Sequence, residues 1–495
     1  MRPLTRAESS GWTETSLHAD VLAFLSQLSH PLLHRTSFGV SPEGRELPLL
    51  VLSAHGVKTP EDARRLGLPT VLVVNGIHAG EVEGKEASLM LVGDLLDGKY
   101  PGLLERITLL VVPLFNPDGN DRIDPKNRAL DISKLHGQIG PVRGVGTRTN
   151  ASGVNLNRDY LRQSAGEMRL LQSRVAQPWE PDLTIDCHAT NGSVHRFHLT
   201  YDVPHPFDSC RPEPIELMRD QFLPELTRRV RAGSGRETFF YGNFVEDEGG
   251  TGEGWMTYTH HPRFGSNYRG LTGRCDILFE AYAYLPFEER VATTYQLLVE
   301  ALQLAGERGE DIRSVVRAAE TPRERIAVRY RLEPHAAPAR ILTREPRTLE
   351  GAPVEKTLPH LARFVGTHFV DRPWAYAVPE PVGKLLAQHG LRTRVLERAV
   401  PAAVEVPVIE EAREADGRAI LEAAGELLVR ARHERGTQNL PAGTWLVETG
   451  QRLGAIAVYL CEAESDDGLF ASGIIPRPQP GERFPALRVL EPIGG

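Results

Sequence analysis

Residues 70–98 read TVLVVNGIHAGEVEGKEASLMLVGDLLDG. The first six, Thr70–Asn75, form a continuous β-branched apolar run, the pattern of a strand buried on both faces. From Glu81 onward Ala87, Leu91 and Leu95 recur at helical spacing and the run stops at Gly98, which predicts a helix. Ile107–Pro113 (ITLLVVP) is a second buried-strand run. Asp182–Cys187 (DLTIDC) and Cys275–Phe279 (CDILF) repeat the pattern, and Phe287–Ala305 reads as a long closing helix. Strands alternating with helices predict an α/β fold: an open, largely parallel mixed sheet with helices on both faces.

The composition changes after this alternation ends. Nine arginines lie between Arg313 and Arg347, mixed with glutamate and proline. They read as a linker plus a surface strand, with Ile326, Val328, Tyr330 and Leu332 alternating against Ala327, Arg329 and Arg331; an anionic-ligand patch is the other reading. Trp374–Pro379, Glu380–His389 and Leu391–Leu396 suggest one β-α-β unit. The expected organisation is therefore residues 1–310 as one domain and 311–495 as a smaller α+β or β-rich extension of unclear role.

The 495 residues carry 57 Lys+Arg against 65 Asp+Glu, so 57 − 65 = −8, which argues against a nucleic-acid partner. No apolar run approaches the ~18 residues of a membrane span. The first residues, MRPLTRAESSGWTETS, show no apolar signal region, and a cytoplasmic location is expected. The four cysteines, Cys187, Cys210, Cys275 and Cys461, contain no C-x-x-C pair, so neither a disulfide framework nor a cysteine-rich metal site is expected. Phosphate-loop and G-x-S-x-G motifs are missing, and Gly144-Val-Gly146 fails the dinucleotide fingerprint.

Chemistry concentrates where the strand runs end, which is where open α/β sheets bind ligands. His78 and Glu81, three apart at a strand-to-helix turn, suit one cation; a capping glutamate beside a solvent-facing histidine is the plainer alternative. His188 follows another buried run, with Asp186 two residues earlier and so on the same strand face. There it can accept the imidazole N–H that points away from a metal. Together His78, Glu81 and His188 make the two-His, one-Glu set of a catalytic zinc with an open fourth position. Glu280 closes a third apolar run, a costly place for a carboxylate without partners or a task, and a general base is the natural task.

A long polar loop from Asn116 to Tyr160 carries Arg122, Arg128, Arg143, Arg148 and Arg158, which could grip a substrate carboxylate or stabilise an oxyanion. Other candidates are weaker. His195 and His198 are expected on opposite strand faces and His260-His261 at the surface. Glu462, Glu464, Asp466 and Asp467 form an acidic cluster, a turn or a calcium site.

The order of these pieces resembles the zinc carboxypeptidase family, the carboxypeptidase A-like metallopeptidases, in the pattern of its bacterial branch with a C-terminal extension. The likeness rests on HAGE (His78–Glu81), NPDG (Asn116–Gly119), GVNLNRD (Gly153–Asp159), the Asp186–His188 strand and GLTGRCDILFEAYAY around Glu280, with Ser41-Pro-Glu-Gly-Arg45 upstream. It spans roughly residues 5 to 308. It implies one Zn2+ per chain held by His78, Glu81 and His188, with Glu280 as general base. It also implies Asn157 and Arg158 as the clamp on a terminal carboxylate, and Arg128, with Arg148 as rival, at the oxyanion. The family's flexible tyrosine would be Tyr258 or Tyr268.

The resemblance thus implies a zinc-dependent hydrolase: Glu280 takes a proton from zinc-activated water and returns it to the leaving amine. The expected reaction is release of C-terminal amino acids from peptides. A zinc deacylase acting on small N-acyl amino acids or other carboxylate-bearing amides shares every group named, and a non-catalytic binding protein on the same scaffold is the third reading. Side-chain specificity and oligomeric state have no motif.

Overall fold

The computed structural model describes residues 2–414 and 427–493. Its central sheet has eight strands: β1 (Leu33–Val40), β2 (Glu46–Leu52), β3 (Thr70–Asn75), β4 (Thr108–Val112), β5 (Leu183–Thr190), β6 (Leu199–Asp202), β7 (Thr238–Phe240) and β8 (Cys275–Tyr282), in the spatial order β1-β2-β4-β3-β5-β8-β6-β7. The middle strands β4, β3, β5 and β8 are parallel. Antiparallel pairs β1–β2, β2–β4 and β8–β6 flank them, and β6 and β7 run parallel. The sheet is thus mixed with a parallel centre, and every residue of β3, β4 and β5 is buried, as their unbroken apolar runs require.

Helices cover both faces. α1 (Glu83–Leu96) and α2 (Phe287–Glu307) pack on each other over one face. There Ser88 Oγ donates to Asn75 Oδ1 at 3.1 Å. On the other face Leu72, Val74 and Thr184 border a pocket shared with Tyr160, Leu171 and Tyr268. The first turn of α1 buries three charges, each with a partner. Glu83 pairs with Arg290 of α2 at 2.5 Å, Lys85 donates to Asn120 Oδ1 at 2.6 Å, and Glu86 accepts from Thr15 Oγ1 at 2.8 Å.

Past α2 the chain forms β-rich structure that packs onto this frame. Arg325–Pro334 pairs antiparallel with His360–Asp371, whose start pairs with Trp255–Met256. A six-stranded sheet includes Ala375–Val378, Arg394–Val395 and Trp445–Glu448. The expected β-α-β unit is present with helix Glu380–Gln388, but its two strands flank Trp445–Glu448 rather than pairing together. The expected alternation at 326–332 gives way at its start. Ile326, Ala327 and Val328 are all buried, because Ala327 is small enough to close against the 208 loop, its N–H bonded to Asp208 O at 3.1 Å. One hydrophobic cluster runs from Val71 and Leu183 through Val328 and Tyr376 to Phe484. Among the described residues no helix is long and apolar enough to cross a membrane.

Candidate active site

The chain leaves β3 at Asn75 and turns through residues 76–82 before α1 begins. The turn is held by Glu81 N–H donating to His78 O at 3.0 Å. Gly80 permits this close approach, since a Cβ there would lie 2.9 Å from both Arg128 Cδ and the carbonyl of Gly146. His188 projects from β5, and the parallel register sets Glu280 of β8 beside it and Leu278 beside Asp186. Four side chains thus share one sheet face at the carboxyl ends of adjacent strands.

His78, Glu81 and His188 are buried, with donor atoms all within 4.8 Å of one another. His78 Nδ1 lies 3.2 Å from Glu81 Oε1, and His188 Nδ1 lies 2.9 Å from Glu81 Oε2. The other ring nitrogens face outward to acceptors. His78 Nε2 is 3.0 Å from Asn155 Oδ1, and His188 Nε2 is 3.2 Å from Asp186 Oδ1. Asp186 is held in turn by Arg269 Nη2 at 2.8 Å, and Arg269 also donates to Tyr160 Oη at 2.8 Å. Two imidazoles turned inward through Nδ1, one carboxylate between them and acceptors behind both rings form a donor set that fits zinc.

Charge in this cluster is strongly organised. Burial opposes ionisation of Glu81, but His78, His188 and Arg128 hold its carboxyl well below the usual range. Burial pushes His78 down to about 4. Burial acts the same way on His188, yet Asp186 and then Glu81 outweigh it and raise the imidazole to about 10. Burial lifts Glu280 to about 8; His188 opposes the shift and Glu81 adds to it.

A cavity of about 160 Å³ opens beside the triad and is also lined by Glu280, Arg128, Arg148, Asn157, Arg158 and Tyr258. Arg128 sits at φ +53°, a backbone region costly for a non-glycine residue. Its guanidinium spans Gln138 Oε1 (2.7 Å), Glu81 Oε1 (3.0 Å) and Ala189 O (3.0 Å). Arg148 also reaches Glu81, at 3.2 Å, from a half-exposed position. Arg158 lies flat on Phe264, 3.5 Å from its ring centre, and donates to Asn157 O at 2.7 Å. Among the described residues no carboxylate pairs with it. Desolvation, with Arg148 and Arg263 nearby, pulls it down to about 9. Asn157 lines the cavity, and its Oδ1 accepts from Gly265 N–H at 2.8 Å, tying the loop to the next helix.

Several expectations are corrected. Tyr268 lies outside this cavity, buried with its hydroxyl 2.8 Å from His389 Nδ1; Tyr258 and Tyr241 line it instead. Nothing local in TFFYGN marks Tyr241, because β7 reaches the cleft only through its pairing with β6. His260 and His261 are buried, not at the surface, and His260 Nε2 bonds Asp466 Oδ2 at 2.7 Å. The acidic cluster is taken up internally: Glu462 by Arg488, Asp466 by His260 and Tyr459, Asp467 by Arg263. Asn155, Arg269 and Phe264 emerge only in three dimensions, although Asn155 stands in the G-V-N-L-N-R-D motif.

Residues 21–213 match the family model described as zinc carboxypeptidase. Over that stretch the chain is zinc carboxypeptidase-like. Over 487 residues it is 23% identical to Carboxypeptidase 2 of Trichophyton tonsurans, covering 92% of this chain and 82% of that protein. A 146-residue stretch is 32% identical to Carboxypeptidase D of Mus musculus, 26% of this chain and 10% of that one. The solved metallo-carboxypeptidase from Burkholderia cenocepacia is similar at 18% identity, covering 59% of this chain and 68% of that one with a TM-score of 0.40. The matched stretch contains His78, Glu81 and His188, the donor set that would hold one zinc ion in a zinc carboxypeptidase-like hydrolase.

Proposed function

We propose that this protein is a zinc carboxypeptidase that releases C-terminal amino acids from peptides, with His78, Glu81 and His188 as its zinc ligands. The observation that carries the reading is Arg158. A desolvated guanidinium without a carboxylate partner among the described residues, sharing a small cavity with the triad and Glu280, is a ready receptor for a free carboxylate.

Zinc, when bound, supplies Lewis acidity that polarises a carbonyl and acidifies water at the site. The chain's own residues do the rest. Arg158 anchors the terminal carboxylate and Phe264 supports the guanidinium from beneath. Arg128, fixed by three partners, presents a cation for negative charge developing on the carbonyl oxygen. Glu280 takes a proton from water and delivers it to the leaving amine, a role served by its elevated pKa. Asn155 and Asp186 fix the outer nitrogens of His78 and His188, so the inner ones stay available.

The test pairs two substrate sets on the zinc-loaded protein: peptides with a free or an amidated C-terminus, and N-acyl amino acids. Release of a terminal residue from the free acids and not from the amides is the expected result. Turnover of N-acyl amino acids alone would assign the protein to deacylation instead.

A further inference from the structure

We propose that the Glu462–Asp467 turn of the C-terminal region is a working part of the cleft, with Asp466 and Asp467 as positioning residues for Arg158. The inference rests on reading Arg158 as the carboxylate anchor.

The segment from Thr257 to Phe264 contributes Tyr258 and Phe264 to the cavity and has no regular secondary structure. A loop of that kind does not hold an aromatic ring to a fraction of an ångström by itself. Asn267 Nδ2 holds its middle, donating to Thr259 O at 2.8 Å and His261 O at 3.2 Å, and two further fixed points come from a stretch more than two hundred residues away. Asp466 Oδ2 accepts from His260 Nε2 at 2.7 Å, and Asp467 Oδ2 accepts from the backbone N–H of Arg263 at 2.7 Å. The Arg263 side chain adds a contact, its Nε 3.2 Å from Asp467 Oδ1. The next residue is Phe264, on which Arg158 lies, and the one after is Gly265, whose N–H meets Asn157.

The turn is itself anchored. Tyr459 Oη donates to Asp466 Oδ1 at 2.6 Å, and Asp466 N–H donates to Val328 O at 3.0 Å. Asp467 is fully buried. Carboxylates out of water are costly unless paired, and both of these are directed at the one loop that shapes the carboxylate end of the cavity. Charge points the same way. Arg263 lies close enough to Arg158 to repel it, and Asp467 offsets that positive charge. Removing Asp467 would release the backbone of Arg263 beside Phe264 and withdraw a negative charge from Arg263, changes that misplace the anchor without touching the triad or Glu280. Misplacement of a positioning group by about an ångström is enough to change kinetics by up to ~10²-fold.

The experiment uses the full-length, zinc-loaded protein and compares Asp467→Asn, Asp466→Asn and Asp467→Glu with the parent on one peptide in free-acid and C-terminally amidated form. Both asparagine variants are expected to keep one zinc per chain and a kcat within about threefold of the parent. Their KM for the free acid should rise at least tenfold, so that discrimination against the amide narrows, with Asp467→Glu recovering part of the loss. Unchanged KM in both, or kcat and zinc lost together, overturns the proposal. Should Asp467→Asn not fold, His260→Phe, which removes the loop's bond to Asp466 and leaves Arg263 in place, is read by the same criteria. A parent enzyme that treats acid and amide alike removes the anchor reading, and this inference with it. A discriminating parent with indifferent variants removes this inference alone.

Discussion

Glu280 stands directly beside His188 in the parallel pairing of β8 with β5. Neighbouring strands lie ~4.8 Å apart, so the carboxylate of one strand end and the imidazole of the next face the same small volume. The sheet register itself therefore delivers the candidate base to the candidate metal ligands.

Glu280→Gln retains shape but loses the proposed proton carrier. Zinc content is expected to stay near one per chain while kcat falls by at least ~10²-fold, the lower end for a general acid–base group. Steady-state kinetics alongside metal analysis by plasma mass spectrometry tests this. Full activity in the variant would rule Glu280 out as base.

His188→Ala removes one of the three proposed ligands and leaves Asp186 and Glu81 facing an empty position. Zinc should drop well below one per chain, and activity should vanish with it. In the parent, a chelator should abolish turnover and added zinc should restore it. Retained zinc in the variant would move the metal elsewhere.

Arg158→Lys keeps a charge but loses the planar fork that lies on Phe264 and can grip a carboxylate through two N–H bonds. KM for free-acid peptides is expected to rise by at least tenfold, in line with ~1.5–3 kcal/mol for a charge-assisted hydrogen bond. Amidated peptides serve as the comparison, and equal effects on both would count against the anchor.

Arg290 and Glu83 form a fully buried pair at 2.5 Å between α2 and α1, and Arg290 also donates to Ile139 O at 2.6 Å and Leu285 O at 2.6 Å. Arg290→Met strands the carboxylate. A loss of about 3–5 kcal/mol is expected in denaturant unfolding, with loosening of the loop after Gly137.

Asp202 is buried at the end of β6, where desolvation raises its carboxyl to about 7; Thr257 Oγ1 donates to it at 2.6 Å. A carboxyl whose folded pKa exceeds its unfolded value of about 3.8 weakens the fold as pH rises between the two. Asp202→Asn should therefore raise the unfolding temperature at pH 8, with the gain shrinking toward pH 5. A gain independent of pH would show that the ionised carboxylate is not its source.

The parallel centre of the sheet is legible because TVLVVN, TLLVV, LTIDC and CDILF are unbroken apolar runs, and burial on both faces demands that pattern. His78, Glu81, His188 and Glu280 are legible because each stands at the end of such a run. Tyr268 is not, since chain distance to Glu280 does not say which side chains of a helix turn toward the cleft, and the Tyr268 hydroxyl turns to His389. His260 and His261 look like surface residues because the carboxylate that buries with them lies more than two hundred residues away.

The sequence by itself determined which residue types stand at which strand ends, and so the chemistry available: local apolar patterning is read directly from neighbours in the chain. Tertiary structure alone decided that Asn155 backs the His78 imidazole, that Phe264 underlies Arg158, and that Asp466 and Asp467 reach across to hold Phe264's loop. Those contacts join segments far apart in the chain, and only packing of the whole molecule brings them within hydrogen-bonding distance.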